Sequence, residues 1–400
     1  MKGTPGFIGE RLREAREARG LTAIALSDLL NVSRQAISSY ESGESSPQPD
    51  MMQEIANKLN LPIAFFLRPI NTQNTNAVFF RSQSAANKLD RGRGNSRIKW
   101  LYEIVVPYLR KFVSLPEVNL PVLNIPNDPL KLGNDEIENI AIEVRKGWGL
   151  GDGPISNIVL LIENNGFIVT RMDLDSPTLD AFSTFPSTID KTPYVILGAD
   201  KQSAVRSRFD AGHELGHFIL HKNIQTNKLK NTVEFKIIEQ QANRFSSAFL
   251  VPRSKFANDF SIPSLNAFQT LKYKWLVSIG VLIKRSFDLG FIPEEHYRKL
   301  WINYNQRGWR KEEPLDDKLP IEQPLLLPRA CKLIIEAKVR TPEQLLAEIP
   351  LSSKDVEELL YIPKGYLAPS LPQVELKDAK ITSNDYKAAV EEAERIIKGF

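Results

Sequence analysis

The segment that decides the fold is Phe209–His221, which reads Phe-Asp-Ala-Gly-His-Glu-Leu-Gly-His-Phe-Ile-Leu-His and holds three of the chain's four histidines. His213 and His217 are four residues apart, so on a helix they lie one above the other and their imidazoles can converge on one metal ion. Glu214 directly follows His213 and reaches an attacking water rather than the metal, which is a general base's position. The segment therefore predicts a helical metal site with hydrolytic chemistry.

A third protein ligand is needed, because catalytic zinc commonly holds three protein groups plus a water. His221 lies about 12 Å beyond His213 along a straight helix. We therefore expect it to cap the helix end or to line the cleft, where Tyr194 is a further candidate. Glu239, at the edge of the apolar face of the next predicted helix, is the better ligand, since a carboxylate there needs a partner. Glu234 competes, but the helix dipole explains an acidic group near a helix start.

Residues 7–67 predict a bundle of short helices. The turn falls at Asn31, a residue that tolerates left-handed backbone. Apolar side chains lie on both sides of it: Leu26, Leu30, Val32 and Ile37. Two short helices locked at a fixed angle are typical of a helix-turn-helix, whose second helix enters the DNA major groove. A small helical bundle that binds protein, or binds no partner, is the alternative.

The second helix of this unit carries the candidate DNA contacts. Because Ile37 faces the core, the outward side chains are Arg34, Gln35, Ser38 and Ser39. Arginine suits guanine and glutamine suits adenine through paired hydrogen bonds, and serine can contact bases or phosphate. Thr22 is expected to cap the preceding helix and is a further candidate DNA contact.

Composition excludes several classes of protein. With 400 residues, 42% hydrophobic and 25% charged, the chain is expected to be globular, cytoplasmic and built from more than one domain. No apolar run reaches the ~18 residues of a membrane span. The single cysteine, Cys331, excludes an internal disulfide, so a metal site would use histidine and carboxylate.

The net charge of +4 is small, but its distribution is uneven. Between residues 71 and 99 six basic side chains stand against Asp90 alone. Residues 71–98, rich in Asn, Gln, Ser and Arg, predict a basic linker or a partly ordered strap that would strengthen DNA binding, as would dimerisation. We expect strands at 166–170 and 194–197. Long helices are expected at 202–221, 231–250 and 267–288, with only helices from 315 onward and no internal repeat.

The N-terminal unit resembles the Cro/cI-type (XRE) helix-turn-helix family. The residues that carry the resemblance are Leu21-Thr22, Val32–Ser38 and Tyr40–Gly43. Family members usually carry Gln where Ala23 stands, so one expected phosphate contact is missing. The resemblance implies double-stranded operator DNA as a partner.

The metal-site region resembles the ImmA/IrrE family of metallopeptidases. The matching residues are His213–His217, His221, Glu239–Phe245 and Phe249–Pro252. The resemblance implies a gluzincin-like α/β domain with a small sheet beside the metal helix and one Zn²⁺ per chain. On this basis His213, His217 and Glu239 are the metal ligands and Glu214 is catalytic.

Together these features predict an α+β, mostly α chain. The predicted parts are the helix-turn-helix at 7–67, the basic linker at 71–98, the zinc metallopeptidase domain at 99–290 and a C-terminal helical region of unknown role at 291–400. The leading hypothesis is a DNA-binding regulator whose zinc peptidase cleaves a repressor-like protein. A transcription factor whose peptidase-like domain is only a sensor or partner-binding module is the alternative, and an antitoxin-like regulator is the third.

Overall fold

The computed structural model describes residues 3–70, 88–126, 128–174, 180–184, 192–199, 203–222, 224 and 232–368, and the backbone of 78–80. The described residues up to Leu367 form one compact unit. Helices dominate and surround one small sheet. The predicted mostly α, α+β architecture is therefore confirmed.

The sheet has four short strands: β1 (Val78–Phe80), β2 (Ile168–Met172), β3 (Ala181–Thr184) and β4 (Tyr194–Gly198). Their order is β1-β3-β4-β2. β2 runs parallel to β4, whereas β3 is antiparallel to both β4 and β1. β2 and β4 confirm the two predicted strands. β1 and β3 escape prediction because three and four residues are too few to show an alternating pattern.

The N-terminal bundle consists of α1 (Gly9–Ala18), α2 (Ala23–Leu29), α3 (Arg34–Ser42), α4 (Pro49–Leu59) and α5 (Ile63–Phe66). Thr22 and Ser33 cap α2 and α3, since their side chains accept backbone N–H bonds of 3.0 and 3.1 Å. Between the two helices Asn31 has a φ of 51°. The predicted Thr22 cap and the left-handed turn at Asn31 are confirmed, and Ser33 is a second cap of the same kind.

The linker prediction is wrong for residues 88–98, which are helical. They belong to α6 (Lys88–Trp100), which continues through a π-helical turn (Leu101–Val105) into α7 (Val106–Leu109). Two glycines and an asparagine lower the helix propensity of this stretch. Residues 71–77 and 81–87 of the predicted linker lie outside the described residues.

Contact with the N-terminal bundle explains why α6 is helical. Trp100 is buried, its Nε1 donates to Glu14 Oε1 at 2.8 Å, and its ring meets Phe65 edge-on at 5.4 Å. The same apolar core contains Leu12 of α1 and Phe182 of the sheet. The helix-turn-helix unit therefore shares a core with the sheet.

The two faces of the sheet belong to different cores. Along β4, Tyr194 and Ile196 lie in the core shared with the N-terminal bundle, whereas Val195 and Leu197 lie in a second core. This alternation follows from the period of two in a strand. The second core also contains the helix that carries the predicted metal ligands.

The remaining helices are α8 (Asn134–Gly147), α9 (Ile158–Asn164), α10 (Ala204–Leu220), α11 (Thr232–Leu250), α12 (Arg253–Asp259), α13 (Leu265–Trp275), α14 (Ile279–Asp288), α15 (Glu294–Gln306), α16 (Leu326–Glu336), α17 (Pro342–Glu348) and α18 (Ser353–Leu360). The single helix predicted at 267–288 is two helices, because Leu276 adopts a φ of 54° and ends α13. Among the described helices none is long and apolar enough to cross a bilayer. The predicted domain boundary at 290 stays a prediction, and residues 369–400 lie outside the described part.

Candidate metal centre

Two helices meet at the predicted metal site. α10 carries His213 and His217 on one face, and α11 lies against it with Glu239. A glycine allows the close approach: a Cβ at Gly216 would lie 3.2 Å from both the Cα and the carbonyl oxygen of Ala242 in α11. The residue between two ligand-bearing turns therefore sets the spacing of the helices.

Three ligand atoms converge between these helices. His213 Nε2 lies 3.0 Å from His217 Nε2 and 3.4 Å from Glu239 Oε2, and His217 Nε2 lies 3.3 Å from Glu239 Oε1. A tetrahedral ion with bonds of about 2.0–2.1 Å holds its ligand atoms about 3.3–3.4 Å apart. Both imidazoles are fully buried. The donor set and its spacing fit a zinc-sized ion.

Hydrogen bonds on the far side of each imidazole direct Nε2 toward the centre. His213 Nδ1 lies 3.0 Å from Asn243 Oδ1, an oxygen that only accepts, so Nδ1 carries the proton. Nε2 of His213 is then an unprotonated donor to a metal. A partner of this kind is the usual support of a ligating histidine.

His217 is oriented by a longer chain of hydrogen bonds. The Gln241 amide nitrogen donates to the carbonyls of Pro129 and Leu132, at 2.9 and 3.2 Å, which turns its Oε1 toward His221 Nε2 at 2.9 Å. His221 must donate there, so its Nδ1 is left to accept from His217 Nδ1 at 3.0 Å. Nε2 of His217 therefore also faces the centre without a proton.

The electrostatics favour an ionised carboxylate. Burial alone would raise the pKa of Glu239, but when His213 and His217 are protonated their hydrogen bonds and positive charges outweigh burial and lower the pKa to about 2. A metal ion would take the place of those protons and of their positive charge. Unprotonated nitrogens and carboxylate oxygens then share a buried space. A cation is the natural partner for such a set.

Glu214 is buried beside the ligands and is held by the sheet. Its Oε2 accepts a short hydrogen bond from Ser183 Oγ of β3. Ser183 is also fully buried, on the strand face that Ala181 shares with the core of α10. Ser183 is a site residue that the sequence does not identify, because only the fold brings it to Glu214.

The two further cleft candidates have different outcomes. His221 caps the C-terminal end of α10 and is fully buried. Its pKa is lowered to about 3, mainly by burial and to a smaller extent by charge repulsion from His217. The side chain thus supports a ligand rather than lining an open cleft. The prediction for Tyr194 is wrong: its ring lies on the other face of the sheet, 5.9 Å from Tyr102.

A large cavity lies on the Asn243 side of His213, and its described lining residues do not include His213, Glu214, His217 or Glu239. It has a volume of about 1410 Å³, and Phe209 and Asn243 connect it to α10 and α11. Basic and acidic side chains both line it, among them Arg206, Lys284, Arg310, Asp288 and Asp317. The volume exceeds the ~300–1,000 Å³ of most small-molecule pockets.

The predicted DNA-reading residues lie on one side of α3. Arg34, Gln35 and Ser38 are exposed, and Ile37 on the opposite side is buried. Ser39 is half-buried and donates to Glu44 at 3.3 Å. Thr22 is exposed, with its side chain engaged as a cap. Arg34, Gln35 and Ser38 can therefore reach a DNA groove directly.

Comparisons with known proteins agree with this geometry. Residues 12–66 match the family model described as helix-turn-helix, and residues 162–286 match the IrrE N-terminal-like domain of the M78 peptidase family. The chain is also 29% identical over 67 residues to the SPbeta prophage-derived uncharacterized HTH-type transcriptional regulator YonR of Bacillus subtilis (strain 168). That match covers 17% of this chain and 62% of the relative. The chain thus joins an XRE-type helix-turn-helix domain to an IrrE/ImmA-like domain of the M78 peptidase family.

Proposed function

We propose that this protein is a DNA-binding regulator whose zinc-dependent peptidase site cleaves a specific, repressor-like protein. The observation that carries the proposal is the convergence of His213, His217 and Glu239 within bonding distance of one ion, with Glu214 buried beside them. The match of residues 162–286 to the M78 peptidase family supports a polypeptide substrate.

Each residue has a distinct task in this proposal. His213, His217 and Glu239 would hold Zn²⁺, which supplies a Lewis acid that activates water and polarises a peptide carbonyl. Glu214 accepts the proton of the attacking water and passes it to the leaving amine, so one water and one peptide bond give an acid and an amine. Ser183 keeps the Glu214 carboxylate directed while this proton moves.

The first test counts metal and cleavage in the same samples. Wild type is expected to hold about one zinc per chain by elemental analysis, and a His213→Ala/His217→Ala variant none. A proteome-derived peptide library, read by mass spectrometry, then reports new termini. Glu214→Gln is the matched control, because it should keep zinc and lose cleavage. Folded wild-type protein that binds no zinc would refute the proposal.

A sensor role is the second candidate, and the shared core favours it. The strand that holds Glu214 also carries Phe182, which lies in the core of the helix-turn-helix unit. Metal binding can therefore change the packing of the DNA-reading unit through β3 without any cleavage. Zinc binding that changes affinity for a selected duplex, with no new peptide termini in the library, would favour the sensor over the peptidase.

A further inference from the structure

The C-terminal helices repeat the helix-turn-helix in register. An offset of 319 residues, as between Leu26 and Leu345, aligns the two segments throughout. The aligned pairs include Thr22 with Thr341, Leu30 with Ile349, Val32 with Leu351, Ser33 with Ser352 and Ile37 with Val356. This correspondence differs from the expectation of no internal repeat. Matching apolar and capping positions carry the correspondence, and three of the aligned pairs, Thr22 with Thr341, Leu26 with Leu345 and Ser33 with Ser352, are identical.

The local structure follows the alignment. α2 and α17 each have seven residues. Thr341 and Ser352 cap α17 and α18 by accepting backbone N–H bonds of 3.3 and 3.2 Å, as Thr22 and Ser33 do in the first unit. α16 stands where α1 stands, so residues 326–360 have the three helices of a helix-turn-helix.

The cores of the two units are also equivalent. Leu26 and Leu345 are both fully buried, as are Ile37 and Val356. In the first unit Arg16 and Glu41 form a buried ion pair with contacts of 2.5 and 3.0 Å. The aligned residues, Ile335 and Leu360, belong to the apolar core instead. Apolar side chains can replace a buried ion pair without loss of stability.

The turns differ in a way that the backbone explains. Asn31 adopts a φ of 51° between α2 and α3. Pro350, at the aligned position, cannot, because its ring fixes φ near −65°. The second unit therefore keeps its helices and changes its turn.

In the second unit, α18 aligns with the DNA-reading helix α3, and it is mostly buried against the rest of the protein. Only Ser353 and Lys354 of α18 are exposed. The carbonyl of Leu359 accepts a 2.9 Å hydrogen bond from Thr170 of β2. This helix cannot enter a DNA groove while it covers the sheet.

Acidic residues of α18 form ion pairs with basic residues of the N-terminal half. Asp355 accepts two hydrogen bonds from Arg19 at the end of α1, at 2.6 and 2.7 Å, and is almost fully buried. Glu358 accepts one from Arg97 of α6 at 2.9 Å. Carboxylates at a reading position repel phosphate and attract guanidinium.

We propose that residues 326–360 are a second helix-turn-helix unit whose reading-position helix binds protein instead of DNA. Its partner is the first unit of the same chain, which it contacts through the Asp355–Arg19 ion pair while its other side packs on β2. One consequence is that, of the two aligned helices, α3 alone is free to enter a DNA groove. The other is that the first unit is fixed relative to the sheet that holds Glu214.

The first experiment uses the alignment to choose matched variants. A duplex is selected from a random 20-bp library with wild type, and affinities are measured by fluorescence anisotropy. Arg34→Ala/Gln35→Ala should lose ~10–100-fold in affinity, as expected for lost base contacts. Ser353→Ala/Lys354→Ala, at the aligned positions, should stay within about threefold, the scale of one lost surface charge. A loss by the second variant as large as that of the first would overturn the proposal.

The second experiment tests whether the ion pair between Asp355 and Arg19 stabilises α1. Asp355→Arg places two cations together, and hydrogen exchange of the amides of residues 9–18 should quicken ~10-fold or more through local opening. Lys354→Glu, an equally large charge change on the exposed side of the same helix, should leave this rate unchanged. If Asp355→Arg does not fold, Asp355→Asn is used, with a ~3–10-fold increase expected. Unchanged exchange in a folded Asp355 variant would show that α18 does not hold the first unit.

Discussion

His217 and His221 face each other through their Nδ1 atoms at 3.0 Å, although both sit on the last turns of one helix. Only one proton fits between two ring nitrogens at that distance, and Gln241 decides which ring provides it. The proton belongs to His217, so the Nε2 of that ring is available to a metal. A histidine too far along the helix to be a ligand thereby fixes the tautomer of one that is.

His221→Phe should lower zinc affinity by ~10–100-fold, the range found when the outer partner of a ligating histidine is removed. Competition against a chelating dye measures this. His221→Asn, whose Oδ1 can take the place of the ring nitrogen, should recover part of the loss. ¹⁵N spectra of the zinc-loaded wild type should show His217 protonated at Nδ1. A Phe variant that binds zinc as tightly as wild type would contradict this role.

Ser183→Ala should keep zinc bound and reduce cleavage by ~10–100-fold, because the Glu214 carboxylate loses the hydroxyl that directs it. Zinc content and cleavage of the peptide library are measured on the same sample. Ser183→Thr keeps a hydroxyl and is the matched control. Loss of zinc from Ser183→Ala would instead make the serine a support of the metal ligands.

Gly216→Ala should destabilise the protein by ~1–3 kcal/mol through overpacking, less the ~1 kcal/mol that alanine gains in a helix. The new Cβ would meet the backbone of Ala242 at 3.2 Å, and the helices would separate at the metal site. Zinc affinity should fall as well. Gly92→Ala, in α6, is the control: its Cβ would lie 3.6 Å from the Glu17 side chain, an ordinary contact, so thermal melting should show a small gain.

Glu163 should make stability fall as pH rises through neutrality. Burial raises its pKa from 4.5 to about 7, although the backbone N–H groups of Leu325 and Leu326 oppose the shift. Because the folded state binds the proton more tightly, this stabilisation is complete below about 4.5 and is lost as pH passes about 7.

Glu163→Gln stays neutral at every pH, so its melting temperature relative to wild type should rise between pH 4.5 and 8. Glu336→Gln, on the exposed side of α16, should show no such trend. A pH-independent difference between Glu163→Gln and wild type would exclude the raised pKa.

Features set by residues close in the chain could be predicted from the sequence. The four-residue spacing of His213 and His217, the caps Thr22 and Ser33, and the outward side of α3 all depend on the period of a single helix. Glu239 followed from its place on the edge of an apolar face. The helix over 88–98 could not be predicted, because two glycines lower its helix propensity and tertiary contacts, among them those of Trp100 with Glu14 and Phe65, stabilise it.

The sequence by itself determined which residues can carry metal, proton and DNA chemistry, since helical spacing and capping are local properties of the chain. Tertiary structure decided which of them act together. Ser183 meets Glu214, and Tyr194 is turned away from the site, because strand register determines which face of the sheet each side chain occupies. Asp355 meets Arg19 across 336 residues, a pairing through space that no local period records.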